Sequence, residues 1–209
     1  MMFRFFFILA CLGISSSLFC TVIPSCTSGN VENNVEDGVD IDNECGILNA
    51  SIGTISGNVE IKSGGNLTIN GDITNITGSI VVCSTCTLTI TGDIANLNGS
   101  ITNDGVINLS GSIVAEGKLE LKGSGTFNMD GGSFESTGDG VVIESGATLN
   151  MTNESTIIAS TGVENEGNIT SDNSGNQIVG EVTGGGTVDP DLNCSGSGCD
   201  DSILPVELV

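Results

Sequence analysis

Between Ile61 and Val188 apolar and polar residues alternate in short runs. Leu67 and Ile69 alternate with Asn66, Thr68 and Asn70, and Leu88 and Ile90 with Thr87, Thr89 and Thr91. Ile107/Leu109, Phe127/Met129 and Leu149/Met151 continue the pattern. Alternation at period two predicts strands with one set of side chains buried and the other exposed. A polar-Gly-polar bend follows at Asn70-Gly71-Asp72, Thr91-Gly92-Asp93 and Ser110-Gly111-Ser112, and a further apolar residue then turns inward: Ile73, Ile94, Ile113 and Phe134.

The runs recur at a fixed distance. Ile61/Leu67, Val82/Leu88, Ile101/Ile107, Leu121/Phe127, Ile143/Leu149, Val163/Ile169 and Val182/Val188 are pairs of apolar anchors six positions apart. Their second members are separated by 21, 19, 20, 22, 20 and 19 residues. A period of about 20 is the mark of a solenoid. No single repeat of that size buries its own apolar face; stacking does, at about 4.8 Å per coil, for a rod on the order of 30 Å long. The predicted fold is all-β: a single-stranded parallel β-helix of about seven coils over residues 47–188. The β-branched content and the lack of any long 3.6-residue periodicity exclude a helical bundle.

Four residues after each first anchor stand Gly65, Cys86, Gly105, Gly125, Ala147, Gly167 and Gly186. Glycine at a bend is expected where the backbone needs an angle other residues avoid. In one repeat Cys83-Ser84-Thr85-Cys86 fills the bend, and a Cys83–Cys86 disulfide would replace what glycine does there.

Outside the repeats, residues 1–20 have the form of an export signal: Arg4 is followed by an apolar run from Phe5 to Phe19, too short to span a membrane. Residues 21–46 are polar and acidic and are expected to be an N-terminal linker or cap, and residues 189–209 lose the periodicity and read as a linker. Export makes disulfides the expected state of the cysteines; the simplest pairing is Cys26–Cys45, Cys83–Cys86 and Cys194–Cys199.

Charge narrows the partners. With 26 acidic and four basic residues in 209, the net charge is −22. That disfavours nucleic acid and anionic membranes as partners and favours solubility and divalent cations. No membrane span is expected once the signal is removed. The charge is uneven. The strand before the glycine bend carries Glu60, Lys62, Glu120, Lys122, Glu144 and Glu164. The strand after it carries Asn66, Thr68, Thr87, Thr89, Asn108, Thr126, Asn128, Thr148 and Asn150, an almost uncharged surface. These nine residues are the candidate binding face, for a host or matrix glycan, a protein, or ordered water as in ice-binding solenoids. Thr and Asn also stack well in parallel sheets without any ligand. Nine Asn-x-Ser/Thr sequons lie in the chain, most of them the repeat itself written in Asn and Thr.

Catalysis is not the expected reading. Asp72 and Asp93 hold equivalent places in neighbouring coils, about 5 Å apart if stacked. Such a pair would suit an acid/nucleophile couple or a calcium ion. A polysaccharide-degrading enzyme, however, would need a cleft with aromatic platforms or Arg and Lys beside carboxylates, and the mature rod has few of either. No cofactor is expected other than calcium at Asp72 and Asp93.

The final segment Leu204-Pro205-Val206-Glu207-Leu208-Val209 resembles the LPVEL stretch that precedes the C-terminal sorting region in cargo of the type IX secretion system. With the export signal and the glycine-rich repeats, the chain is similar to adhesin-like surface proteins of that pathway. The resemblance implies a sorting domain beyond Val209, so that 189–209 would be a linker and the start of a truncated region. The function expected is that of an exported, non-catalytic β-helix module at the cell surface, adhesin-like or structural.

Overall fold

The computed structural model describes residues 28–29, 35–36, 38–43, 45–49, 51–172, 174–195 and 199. The export signal, Cys26 and the 204–209 segment lie outside the described residues. The described chain is a parallel β-solenoid of about seven turns with three strand-bearing faces. On the first face the strands Asn66–Ile69, Thr87–Ile90, Val106–Leu109, Thr126–Asp130, Thr148–Thr152 and Asn168–Ser171 stack in order. On the second lie Ile52–Ser56, Ile73–Ile76, Ile94–Leu97, Ser112–Ala115, Ser133–Ser136 and Thr156–Ala159, and on the third Val59–Lys62, Ile80–Val82, Ile101–Asn103, Leu119–Leu121, Val141–Ile143 and Val163–Asn165. The long strand Gln177–Thr183 serves both latter faces, pairing with Thr156–Ala159 through its first half and Val163–Asn165 through its second.

Register on the first face is the one the apolar anchors predict: Leu67, Leu88, Ile107, Phe127, Leu149, Ile169 and Val188 are successive partners. All but Val188 are at most 1% exposed, and they stack over inward residues of the other faces such as Ile73, Ile94, Ile113 and Phe134. Each such side chain removed from water contributes about 1.5–3 kcal/mol. Phe127 and Phe134 sit in one coil and meet edge to face, with centroids 6.2 Å apart and ring planes at 73°.

Register before the bend departs from the sequence reading. The partners of Ile61 and Val82 run on to Asn103, Leu121, Ile143 and Asn165, whereas Ile101 pairs with Ile80 and Val163 with Val141. Val182 likewise pairs with Val163, so in three repeats the bend is two residues shorter than spacing alone suggests, and in the first two of them an asparagine takes the inward place. Asn103 is 0% and Asn165 1% exposed. Both are bonded through oxygen and nitrogen alike: the Asn103 Oδ1 accepts the Gly105 N–H at 3.0 Å and its Nδ2 donates to the Thr126 carbonyl at 2.9 Å. Asn165 does the same with the Gly167 N–H at 3.1 Å and the Thr187 carbonyl at 3.0 Å. A buried amide so satisfied replaces the hydrogen bonds that a longer turn would make within itself.

The glycine column also has a different cause from the expected one. Positive φ falls on the residues before it, Gly64 and Gly146 among them, and not on Gly65, Gly105, Gly125, Gly167 or Gly186. What these five lack is room: a Cβ at Gly105 would lie 2.2 Å from the Cys83 carbonyl oxygen, and one at Gly125 2.2 Å from that of Asn103. The two Cβ-bearing members of the column, Cys86 and Ala147, each have glycine in the coil above and below. The Cys83–Cys86 disulfide forms across its bend with Cα atoms 5.0 Å apart. The Cys86 N–H donates to the Cys83 carbonyl at 2.9 Å, the same turn bond that Gly65 and Gly125 make to Lys62 and Lys122.

Strand pairing extends beyond 47–188 at both ends. Val39–Asp42 pairs with Val59–Lys62, and Cys45–Leu48 with Asn66–Ile69, so the acidic segment supplies strands to the stack. At the other end Leu192 is 7% exposed within the core, and Asn193–Ser195 pairs with Gln177–Thr183. Residues 189–195 thus fold over the last coil, a cap where the sequence reads as a linker. The Cys194–Cys199 disulfide is present there. Cys45 is disulfide-bonded, and Cys26, its expected partner, lies outside the described residues. Among the described residues no helix is long and apolar enough to cross a membrane.

Candidate functional site

The parallel register assembles the nine candidate residues into two adjacent rows. Asn66, Thr87, Val106, Thr126 and Thr148 are successive partners, and so are Thr68, Thr89, Asn108, Asn128 and Asn150. All nine point outward between buried neighbours; Asn66 is exposed and the other eight are half-buried. Val106 interrupts the first row, so threonine does not repeat from coil to coil as a lattice.

The second row is joined side chain to side chain. Asn108 Nδ2 donates to Thr89 Oγ1 at 3.4 Å, Asn128 Nδ2 to Asn108 Oδ1 at 2.9 Å, and Asn150 Nδ2 to Asn128 Oδ1 at 2.7 Å. Thr170 Oγ1 closes the series on Asn150 Oδ1 at 2.6 Å. Every amide therefore points the same way along the rod, donating toward the N-terminal coil and accepting from the C-terminal one. Amides aligned in series polarise one another. A third row at the strand ends is joined in the same manner, with Asn70 donating to Asn49 at 2.7 Å and Thr91 to Asn70 at 3.1 Å.

The face is not flat. Over the second row lies a shallow depression of about 600 Å³, with Asp130, Thr152, Asn153 and Asp172 on one side. Sequence reasoning missed Asn153 and Asp172, which belong to bends rather than to the repeat. Asn153 and Glu154 have positive φ, at 56° and 63°. This sharp turn brings the Asn153 amide onto the Asp130 carboxylate and its N–H onto Asp172 Oδ2 at 3.3 Å. Asp172 is held down to about 2, first by the Ser174 hydroxyl and then, against some desolvation, by Asn176 Nδ2 and the Asn153 and Ser174 N–H groups. Asn176 itself is buried and fully used: it donates to the Met151 carbonyl at 2.9 Å and accepts the Ser155 N–H at 2.8 Å.

Asp72 and Asp93 are neighbours across the Gly71/Gly92 corner, as their spacing predicts, but each carboxylate is turned onto backbone. Asp72 Oδ1 accepts the Asp93 N–H at 3.0 Å, and Asp93 Oδ1 accepts the Ser112 N–H at 2.8 Å. Asn58 and Ser79 do the same at another corner, accepting the N–H groups of Ser79 and Ser100. These side chains clip one coil to the next. Among the described residues no three Asp, Glu, Cys or His groups come together as a metal site.

The charged strand before the bend has its own order. Lys62 pairs with Asp40 at 3.1 Å and Glu60 at 2.6 Å; Lys118 and Lys122 clasp Glu120 at 2.6 and 3.0 Å. Hydrogen bonds from Lys62 and Asn58 hold Glu60 below the usual carboxylate range. Burial pushes Glu120 up, and the hydrogen bonds from its two lysines outweigh that and bring it below the ordinary value. Exposed pairs of this kind are each worth about 0–1 kcal/mol. All three lysines of the rod are thus spent on the third face, and the Thr/Asn face carries none.

Fold and face together define the class: an acidic parallel β-solenoid with a neutral, amide-laddered surface and a carboxylate rim. No family model, curated protein or solved structure matches the chain.

Proposed function

We propose that the chain is an exported, non-catalytic β-solenoid module of the cell surface or extracellular space, adhesin-like, with the Thr/Asn face as its contact surface. The observation that carries this reading is the use made of the polar side chains. Asn108, Asn128 and Asn150 bond to one another, and Asp72 and Asp93 bond to backbone of the next coil. They are committed to coil-to-coil bonding rather than converging on one point, as the paired acid/base groups of a hydrolase must. The disulfides at Cys83–Cys86 and Cys194–Cys199 support an oxidising location.

Beads coated with the rod test the reading. They are expected to attach to at least one surface in a panel of matrix proteins and polysaccharides, and to release no sugar from it. Release of reducing ends from a polysaccharide, abolished by Asp72→Asn or Asp93→Asn, would replace this reading by the enzymatic one.

A further inference from the structure

The Asn ladder leaves a defined set of groups unused. A neutral carboxamide has two N–H donors and two acceptor lone pairs. Asn128 uses one N–H on Asn108 and one lone pair for Asn150; Asn108 and Asn150 divide their capacity in the same way. Each keeps one donor and one acceptor, and all three line the depression. The pattern repeats once per coil, about every 4.8 Å, close to the advance of one pyranose ring in an extended polysaccharide. The ladder also fixes each amide, so a ligand does not have to freeze these rotamers on binding.

Charge selects among ligands. The floor carries no charged side chain, while Asp130 and Asp172 stand on one side. Asp172 keeps its charge at any physiological pH, being held down to about 2. An anionic polymer laid along the row would meet these carboxylates with no lysine to offset them. For a neutral polymer the same carboxylates are acceptors for its hydroxyl groups.

We infer that the depression over Thr89, Asn108, Asn128 and Asn150 binds a neutral, extended polysaccharide that lies parallel to the rod axis, with one sugar per coil. This rests on the reading that the Thr/Asn face is the contact surface, and it adds ligand class and direction.

The test is electrophoresis of the folded protein through native gels containing hydroxyethylcellulose, β-mannan or xylan, with polygalacturonate as the anionic counterpart. Retardation is expected in at least one neutral gel and not in polygalacturonate. Asn108→Val/Asn128→Val removes hydrogen bonds to the ligand from two adjacent rungs, so affinity should fall about tenfold or more. Thr89→Lys, which releases only the Asn108 N–H that Thr89 accepts, keeps the Asn108–Asn128–Asn150 bonds and crowds one end of the row, is a second variant. Both are checked for the wild-type circular dichroism spectrum. Absence of retardation in all three neutral gels, stronger retardation in polygalacturonate, or undiminished binding by folded variants would each overturn the inference. Bead attachment to a protein surface alone, without retardation, would sink it and leave the contact-surface reading standing.

Discussion

Asn103 in one coil holds Thr126 in the next, its side-chain N–H meeting the Thr126 carbonyl at 2.9 Å. The same amide accepts the Gly105 N–H, which makes it the closure of a bend two residues shorter than its neighbours. Asn103→Leu keeps the branched shape of the side chain but orphans the Gly105 N–H. A loss of about 1–3 kcal/mol in urea denaturation is expected, although the new residue is apolar and faces the core. An Asn103→Leu protein as stable as wild type would mean the amide is incidental.

Phe127 and Phe134 fill a single coil and contact each other. Phe127→Ala should cost about 3–5 kcal/mol, because the coils above and below hold the space open. Thr89→Ala, on the outward side of the first face two coils away, should cost under about 1 kcal/mol. Equal costs would contradict the inside/outside assignment of the first face.

The Cys83–Cys86 disulfide closes a four-residue turn, so it constrains the unfolded chain little. Its removal is expected to cost less than about 2–3 kcal/mol. Cys83→Ser/Cys86→Gly returns glycine to the column and should fold with an unchanged circular dichroism spectrum. Cys86→Leu should not, because position 86 is 1% exposed and the coils pack so closely there that even a Cβ at Gly105 would lie 2.4 Å from the Cys86 carbonyl oxygen.

Asp172 ties the turn at Asn153 to the one at Ser174. Its folded-state pKa lies below the unfolded one, so its contribution is fully present above the unfolded value. The contribution declines as pH falls toward about 2. The difference in melting temperature between wild type and Asp172→Ala should therefore be constant above about pH 5 and shrink between about pH 4 and pH 2. A difference independent of pH over that range would show that the carboxylate's charge is not what the turn uses.

Much of this was legible in the chain because solenoid sequence and solenoid structure share one period. Leu67, Leu88, Ile107 and Phe127 could be aligned by counting, and parallel stacking turned that alignment into neighbours in space. The outward rows followed from the same count. Asn103 and Asn165 were not legible, because an asparagine reads as polar and outward until its backbone partners are known. The apolar Ile101 and Val163, two residues earlier, took its place in the count. The glycine column was found but its reason was not: crowding between coils is a tertiary fact with no local signal. Asn153 and Asp172 sit in bends of irregular length, where periodicity says nothing. Leu192 was a single apolar residue in a polar stretch, too little to announce a cap.

Export to an oxidising cell surface is tested most directly on cells of the source, using antibodies to the folded rod together with alkylation of thiols at the moment of isolation. Labelling of intact cells is expected, with Cys83 and Cys86 unreactive until reduced. Labelling only after permeabilisation, with both cysteines alkylated without reductant, would contradict it.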